Sequence, residues 1–180
     1  MITLACNRLP RHRKAERGVT LIETMIASVI LMIGIGGLLS LLTVAVSQDS
    51  GQGDIATRAA VYAQGKMEQL LALSFNDGAS NTTVYPTTSS GGTGLGGLMG
   101  GSATVGGINT ASPVTNYVDY LDADALQTSA VGANFMRQWT ISTNGAGNLK
   151  TITVLTTVVN WTGRGLAPST RLVCTKSNNQ

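Results

Sequence analysis

Arg17-Gly18-Val19-Thr20-Leu21-Ile22-Glu23 opens an apolar run, and it is the stretch on which the fold turns. From Thr24 to Val46 there are 23 residues without a charge. A helix needs about 20 to cross a bilayer core. An ionisable group at the mouth of such a segment is costly and usually functional. Glu23 therefore calls for a cationic partner. The simplest one is an α-amino group made by cutting the chain between Gly18 and Val19.

The charges around the run set its direction. Residues 1–18 hold Arg8, Arg11, Arg13, Lys14 and Arg17 against Glu16, a net of +4. The other residues hold seven Lys and Arg against eight Asp and Glu, a net of −1. The overall charge of +3 thus belongs to a basic leader and not to a binding surface. Basic residues on the N-terminal flank keep that side in the cytoplasm, which puts the C-terminal portion in the periplasm or outside the cell. A secretory signal places its apolar segment before the cut, whereas here it follows the cut and is retained.

Helical spacing continues beyond the run, and one long helix is expected from about Val19 to Leu73. Its first part, 19–46, is apolar all round, as suits lipid or the packed centre of a filament. Gly34, Gly36 and Gly37 interrupt it, each costing about 1 kcal/mol relative to Ala. They either allow close helix packing or mark a segment that can melt or stretch. In 47–75, Gly51 and Gly53 loosen the helix. Ile55, Ala59, Tyr62, Met67 and Leu70 then form a stripe that should pack on a sheet. Asp54 and Arg58 make an acid-first i,i+4 pair.

Residues 76–117 read as a Gly/Ser/Thr-rich connector. Nine of the seventeen residues from Gly91 to Gly107 are glycine. With so little side chain to bury, a mobile surface loop is expected. The glycine spacing fits no phosphate-binding loop. Residues 118–180 read as an antiparallel β head. Its strands are Arg137–Thr143, Leu149–Trp161 and Thr170–Cys174, rich in β-branched types, with a turn at Asn144–Asn148. Trp139 and Trp161 are expected as core plates between sheet and helix. The fold class is therefore α+β, a long N-terminal helix packed on a small antiparallel sheet. Cys6 lies in the leader, so Cys174 is left as a half-buried strand residue with no intramolecular disulfide.

Little in the sequence points to catalysis. The only histidine, His12, lies in the leader, so no Ser-His or Cys-His pair can be built after Gly18. No cofactor is expected. Asp119, Asp122 and Asp124 are weak calcium candidates; they lack the Gly and terminal Glu of an EF-hand loop. The basic residues beyond the leader are scattered, and phosphate binding needs them clustered, so no nucleic-acid partner is expected.

The leader, Gly18, Val19-Thr20-Leu21-Ile22-Glu23 and the charge-free span together resemble the prepilin signal of type IV pilins and of type II secretion pseudopilins. The resemblance implies the type IV pilin fold and cleavage after Gly18 by a prepilin peptidase, which also N-methylates Val19. It implies that Glu23 neutralises the terminal amine of a neighbouring subunit. The family usually has Phe where this chain has Val19. Implied partners are that peptidase and methyltransferase, other pilin or pseudopilin subunits, an inner-membrane assembly platform and the inner-membrane lipid. The spacing of Trp139 and Trp161 also resembles the pilus-modification branch of minor pilins. The implied function is that of a minor pilin, a structural subunit and not an enzyme. The alternatives are a minor pseudopilin of the I type, which the helix around Ala63-Gln64-Gly65-Lys66-Met67-Glu68 also resembles, and a membrane-tethered DNA-uptake or adhesion module.

Overall fold

A charge-free apolar run followed by an amphipathic stripe forms one helix, α1, Leu21–Ala72. The computed structural model describes residues 20–163 and 165–178. The α-helix continues through Gly34, Gly36, Gly37, Gly51 and Gly53. The chain divides into two compact units, Met1–Val46 and Ser47–Gln180.

In the first unit, the large apolar side chains of α1 from Leu21 to Val46 are 47–78% exposed. An 18-residue window of α1 reaches a mean hydropathy of 2.6, long and apolar enough to cross a membrane. Its hydroxyls are hidden against the helix backbone. Thr24 donates to Leu21 O at 2.8 Å, Ser28 to Thr24 O at 2.7 Å, Ser40 to Gly36 O at 2.9 Å and Thr43 to Leu39 O at 2.9 Å. Such back-bonding lets a hydroxyl sit in an apolar surrounding without an unsatisfied donor.

In the second unit, the later part of α1 lies on an antiparallel sheet of five strands. These are β1 (Ala103–Gly106), β2 (Val118–Leu121), β3 (Phe135–Thr143), β4 (Leu149–Val158) and β5 (Ser169–Ser177). The order is β1-β3-β4-β5, and β2 pairs with β3 beyond the stretch that β1 occupies. Trp139 and Ile141 of β3 share one face of the sheet with Ile152 and Val154 of β4, and all four are fully buried. They meet Ala63, Met67 and Leu70 of α1 in one core. A second cluster joins Ala59 to Leu121 and Phe135, with Ile55 and Tyr62 packed against it. The expected stripe thus does bury on the sheet. Asp54 and Arg58 pair at 3.0 Å, as their spacing predicts. Cys174 sits on β5, half-buried against the core.

Three expectations need correction. The sheet has five strands instead of three, because β1 and β2 are four residues each and too short to show a period. The Gly-rich connector is not a bare loop: it supplies β1 and buries Leu95, Ser80 and Thr82. Some of its glycines are packing devices. Gly106 has φ +77°, and a Cβ there would lie 2.4 Å from the Trp139 carbonyl oxygen. Gly94 has φ +51°, and its Cβ would lie 2.1 Å from Asp77 Oδ1. Trp161, unlike Trp139, lies beyond β4 and is only half-buried. Its ring lies against Gly163, where a Cβ would meet it at 2.1 Å. It joins neither core cluster.

Candidate functional site

The carboxylate singled out by the sequence lies in the first turn of α1. Thr20 O accepts from the amides of Glu23 (3.0 Å) and Thr24 (3.2 Å), which starts the helix. An acid here is favoured by the helix dipole. The hydroxyl side chains of the apolar segment have acceptors within the helix, as described above. Among the described residues the Glu23 carboxylate has no hydrogen-bond or ion-pair partner, and it is exposed on an apolar surface. Gly18 and Val19, the expected cleavage and methylation positions, lie outside the described residues. So do Cys6 and His12.

The three aspartates proposed for calcium do not come together. Asp119 is 4% exposed and faces inward from β2, directly opposite Arg137 in the strand register. Arg137 grips it with both prongs, Nε to Oδ1 at 2.7 Å and Nη2 to Oδ2 at 2.8 Å. Lys66 Nζ reaches Oδ2 at 2.6 Å. Asp122 instead accepts the amides of Asp124 and Leu126, each at 2.9 Å, and closes the turn after β2. Asp124 is exposed. Among the described residues no group of three metal-ligating side chains forms. The carboxylate that would have anchored a cation is already neutralised by two of the protein's own.

This buried triad was not anticipated, nor were two further lysines. Lys66 is fully buried, 4.5 Å from the Trp139 ring centroid, and also donates to Gln69 Oε1 at 2.5 Å and Thr82 O at 2.6 Å. Lys150 gathers the carbonyls of Phe75, Leu95 and Gly97 at 2.6–3.0 Å. Lys176 donates to the carbonyls of Leu71 and Leu73. The last turn of α1 has no basic residue of its own. β5 therefore supplies the cation that satisfies its terminal carbonyls. The signal for these residues was strand parity. Arg137 is in phase with Trp139 and Ile141, Lys150 with Ile152 and Val154, and Lys176 with Leu172 and Cys174.

Lys66 and Lys150 titrate abnormally. Burial lowers Lys66 from 10.5 to about 8, Asp119 opposes the shift, and Arg137 adds to it. Burial also lowers Lys150, against the pull of Asp77. Burial pushes Asp77 up, but the Ser80 hydroxyl and the Ser80 and Ala79 amides outweigh it and hold the carboxyl below its usual range. For Lys66, the unfolded chain keeps its proton up to 10.5 and the folded chain only to about 8. Between those values the unfolded state binds more protons, so stability rises with pH. Relative to Lys66→Met, the parent should gain on the order of 2–3 kcal/mol across this window. Denaturant unfolding of both proteins at the two ends of the range measures it. A constant gap contradicts it.

Residues 13–39 match the family described as the Prokaryotic N-terminal methylation motif. Its described part is Thr20 and the first turns of α1, including Glu23. Comparison with curated proteins and with solved structures yields no match. The motif at the mouth of an exposed apolar helix, with an antiparallel sheet on the later part of that helix, is an α+β arrangement that matches the type IV pilin fold.

Proposed function

We propose that the protein is a minor pilin, an assembly subunit of a type IV pilus. It is held in the inner membrane by the apolar part of α1, with the head in the periplasm. A prepilin peptidase cuts between Gly18 and Val19, and Val19 is N-methylated. The subunit then exchanges lipid for helix–helix contact in the filament, guided by an ion pair between Glu23 and the terminal amine of a neighbour. The head decorates the filament.

The observation that carries this reading is the match of residues 13–39 to the N-terminal methylation motif, with Glu23 in the first turn of an apolar helix. Four hydroxyls of the apolar segment bond within α1, and the carboxylate has no such partner among the described residues. A charge kept at such a place is usually functional, and the terminal amine of a neighbouring subunit would neutralise it. The long Gly-rich connector and the lack of a head disulfide favour a minor subunit over a major one.

The same motif suits a minor pseudopilin of type II secretion, which is the competing reading. Deleting the gene separates the two. Loss of surface pili and twitching motility, with exoprotein release intact, is the expected result. Loss of exoprotein release with normal pili would assign the subunit to secretion instead. Salt-sensitive DNA binding by the purified protein would support the DNA-uptake alternative. The inward-turned cations argue against it, since Lys66, Arg137, Lys150 and Lys176 are all engaged by internal acceptors.

A further inference from the structure

A cavity of about 700 Å³ opens in the second unit, beside the later part of α1. Tyr62 and Glu68 of α1 line it, with Tyr85 on one side, Leu126 and Gln127 on another, and Leu121 beneath. Two glutamines build its walls. Gln127 accepts the Tyr85 amide at 2.9 Å and donates to Thr83 O at 2.5 Å, joining segments 42 and 44 residues apart. Gln69 donates to Val84 O at 2.9 Å and to the Thr87 hydroxyl at 2.6 Å, fastening one wall to α1. The groove is thus formed before anything enters it, which lowers the ordering cost of binding.

Of its charged and amide side chains, all but one are spent. The two glutamines bond to the walls, and Arg137 is held by Asp119. Glu68 is exposed and has no hydrogen-bond or ion-pair partner among the described residues. Around it Val61 is 55%, Leu126 64% and Tyr85 77% exposed. Large apolar side chains converging on one pre-built groove mark an interaction site. An unpaired carboxylate beside them selects the sign of the occupant.

We propose that this groove binds a short segment of another polypeptide in which Arg or Lys is flanked by an apolar side chain. The cation meets Glu68, its methylene stem lies along Tyr85 and Leu126, and the apolar neighbour enters the cavity toward Leu121. A long basic side chain suits such a site because its stem is apolar and its head is not. Tyrosines at the centre of a contact are the type of residue that dominates binding energy. An acidic segment is repelled by Glu68. The contact uses neither Glu23 nor the apolar part of α1, so it stands whether or not the filament reading does.

The test is an NMR titration of the full chain in detergent micelles with acetyl-Leu-Arg-Leu-amide. Acetyl-Leu-Glu-Leu-amide and argininamide serve as comparisons. Saturable shifts are expected at the amides of Tyr85, Leu126 and Gln127 with the basic tripeptide, and none with the acidic one. Glu68→Gln should weaken binding about tenfold, the loss of one charge-assisted contact. Tyr85→Ala should weaken it as well. Both positions are exposed, so the spectrum of the sheet reports that either variant is folded. Absence of saturable shifts overturns the proposal, as does equal binding of the acidic peptide or an unchanged affinity in folded Glu68→Gln. Argininamide binding as tightly as the tripeptide also overturns it, in favour of a small-cation site.

Discussion

Glu23→Ala is expected to leave processing intact and to reduce incorporation into filaments by more than tenfold. If a neighbour's terminal amine enters the apolar centre of an assembly, its partner must be there. Removing one member of a buried pair costs about 3–5 kcal/mol because the other charge is left uncompensated. Every 1.4 kcal/mol is about a factor of ten in an association constant. Quantitative immunoblots of sheared filaments and of membranes measure both fractions. Glu23→Gln, which keeps the shape and loses the charge, should fail in the same way. Unaltered incorporation of either variant would show that the carboxylate is not the assembly contact.

Asp119→Asn should destabilise the head by about 3–5 kcal/mol, a large share of the stability of a typical domain. The substitution leaves Lys66 and Arg137 buried beside one another with no anion between them. Lys66 also holds Thr82 O, so the anchoring of the Gly-rich connector weakens with it. Urea unfolding of the full chain reads the loss as a lower midpoint. Loss of less than about 1 kcal/mol, the worth of an exposed pair, would mean the triad is solvated and not a buried structural element.

The parts of the fold legible in the sequence were those written in local periods. The apolar run and the stripe from Ile55 to Leu70 gave α1 within two residues at each end of the expected span. The β-branched alternation gave β3, β4 and β5. β1 and β2 escaped because four residues carry almost no period, and their pairing is decided by β3, whose residues lie 14 or more positions away. The connector looked unstructured for a related reason. What orders it is Lys66 and Lys150 bonding to carbonyls 16 to 55 residues distant. No local pattern records such contacts, although each lysine does stand in phase with core residues of its own element.

The candidate site divides in the same way. Glu23 was legible because a single charge in an apolar run is a local anomaly. Asp119, Asp122 and Asp124 looked like a cluster because they are close in sequence. Strand geometry points Asp119 inward to Arg137, while Asp122 turns back on the amides that follow it. The groove beside Glu68 was invisible, since its walls come from α1, the connector and the turn after β2.

The most direct test is the intact mass of the protein recovered from cells that possess prepilin-processing machinery. The account predicts a chain that begins at Val19, carries one added methyl group and lacks the 18-residue leader. Gly18→Leu should instead be recovered at full length. A parent protein found uncut from Met1 in those cells would contradict the account, because no Val19 amine would then exist to neutralise Glu23.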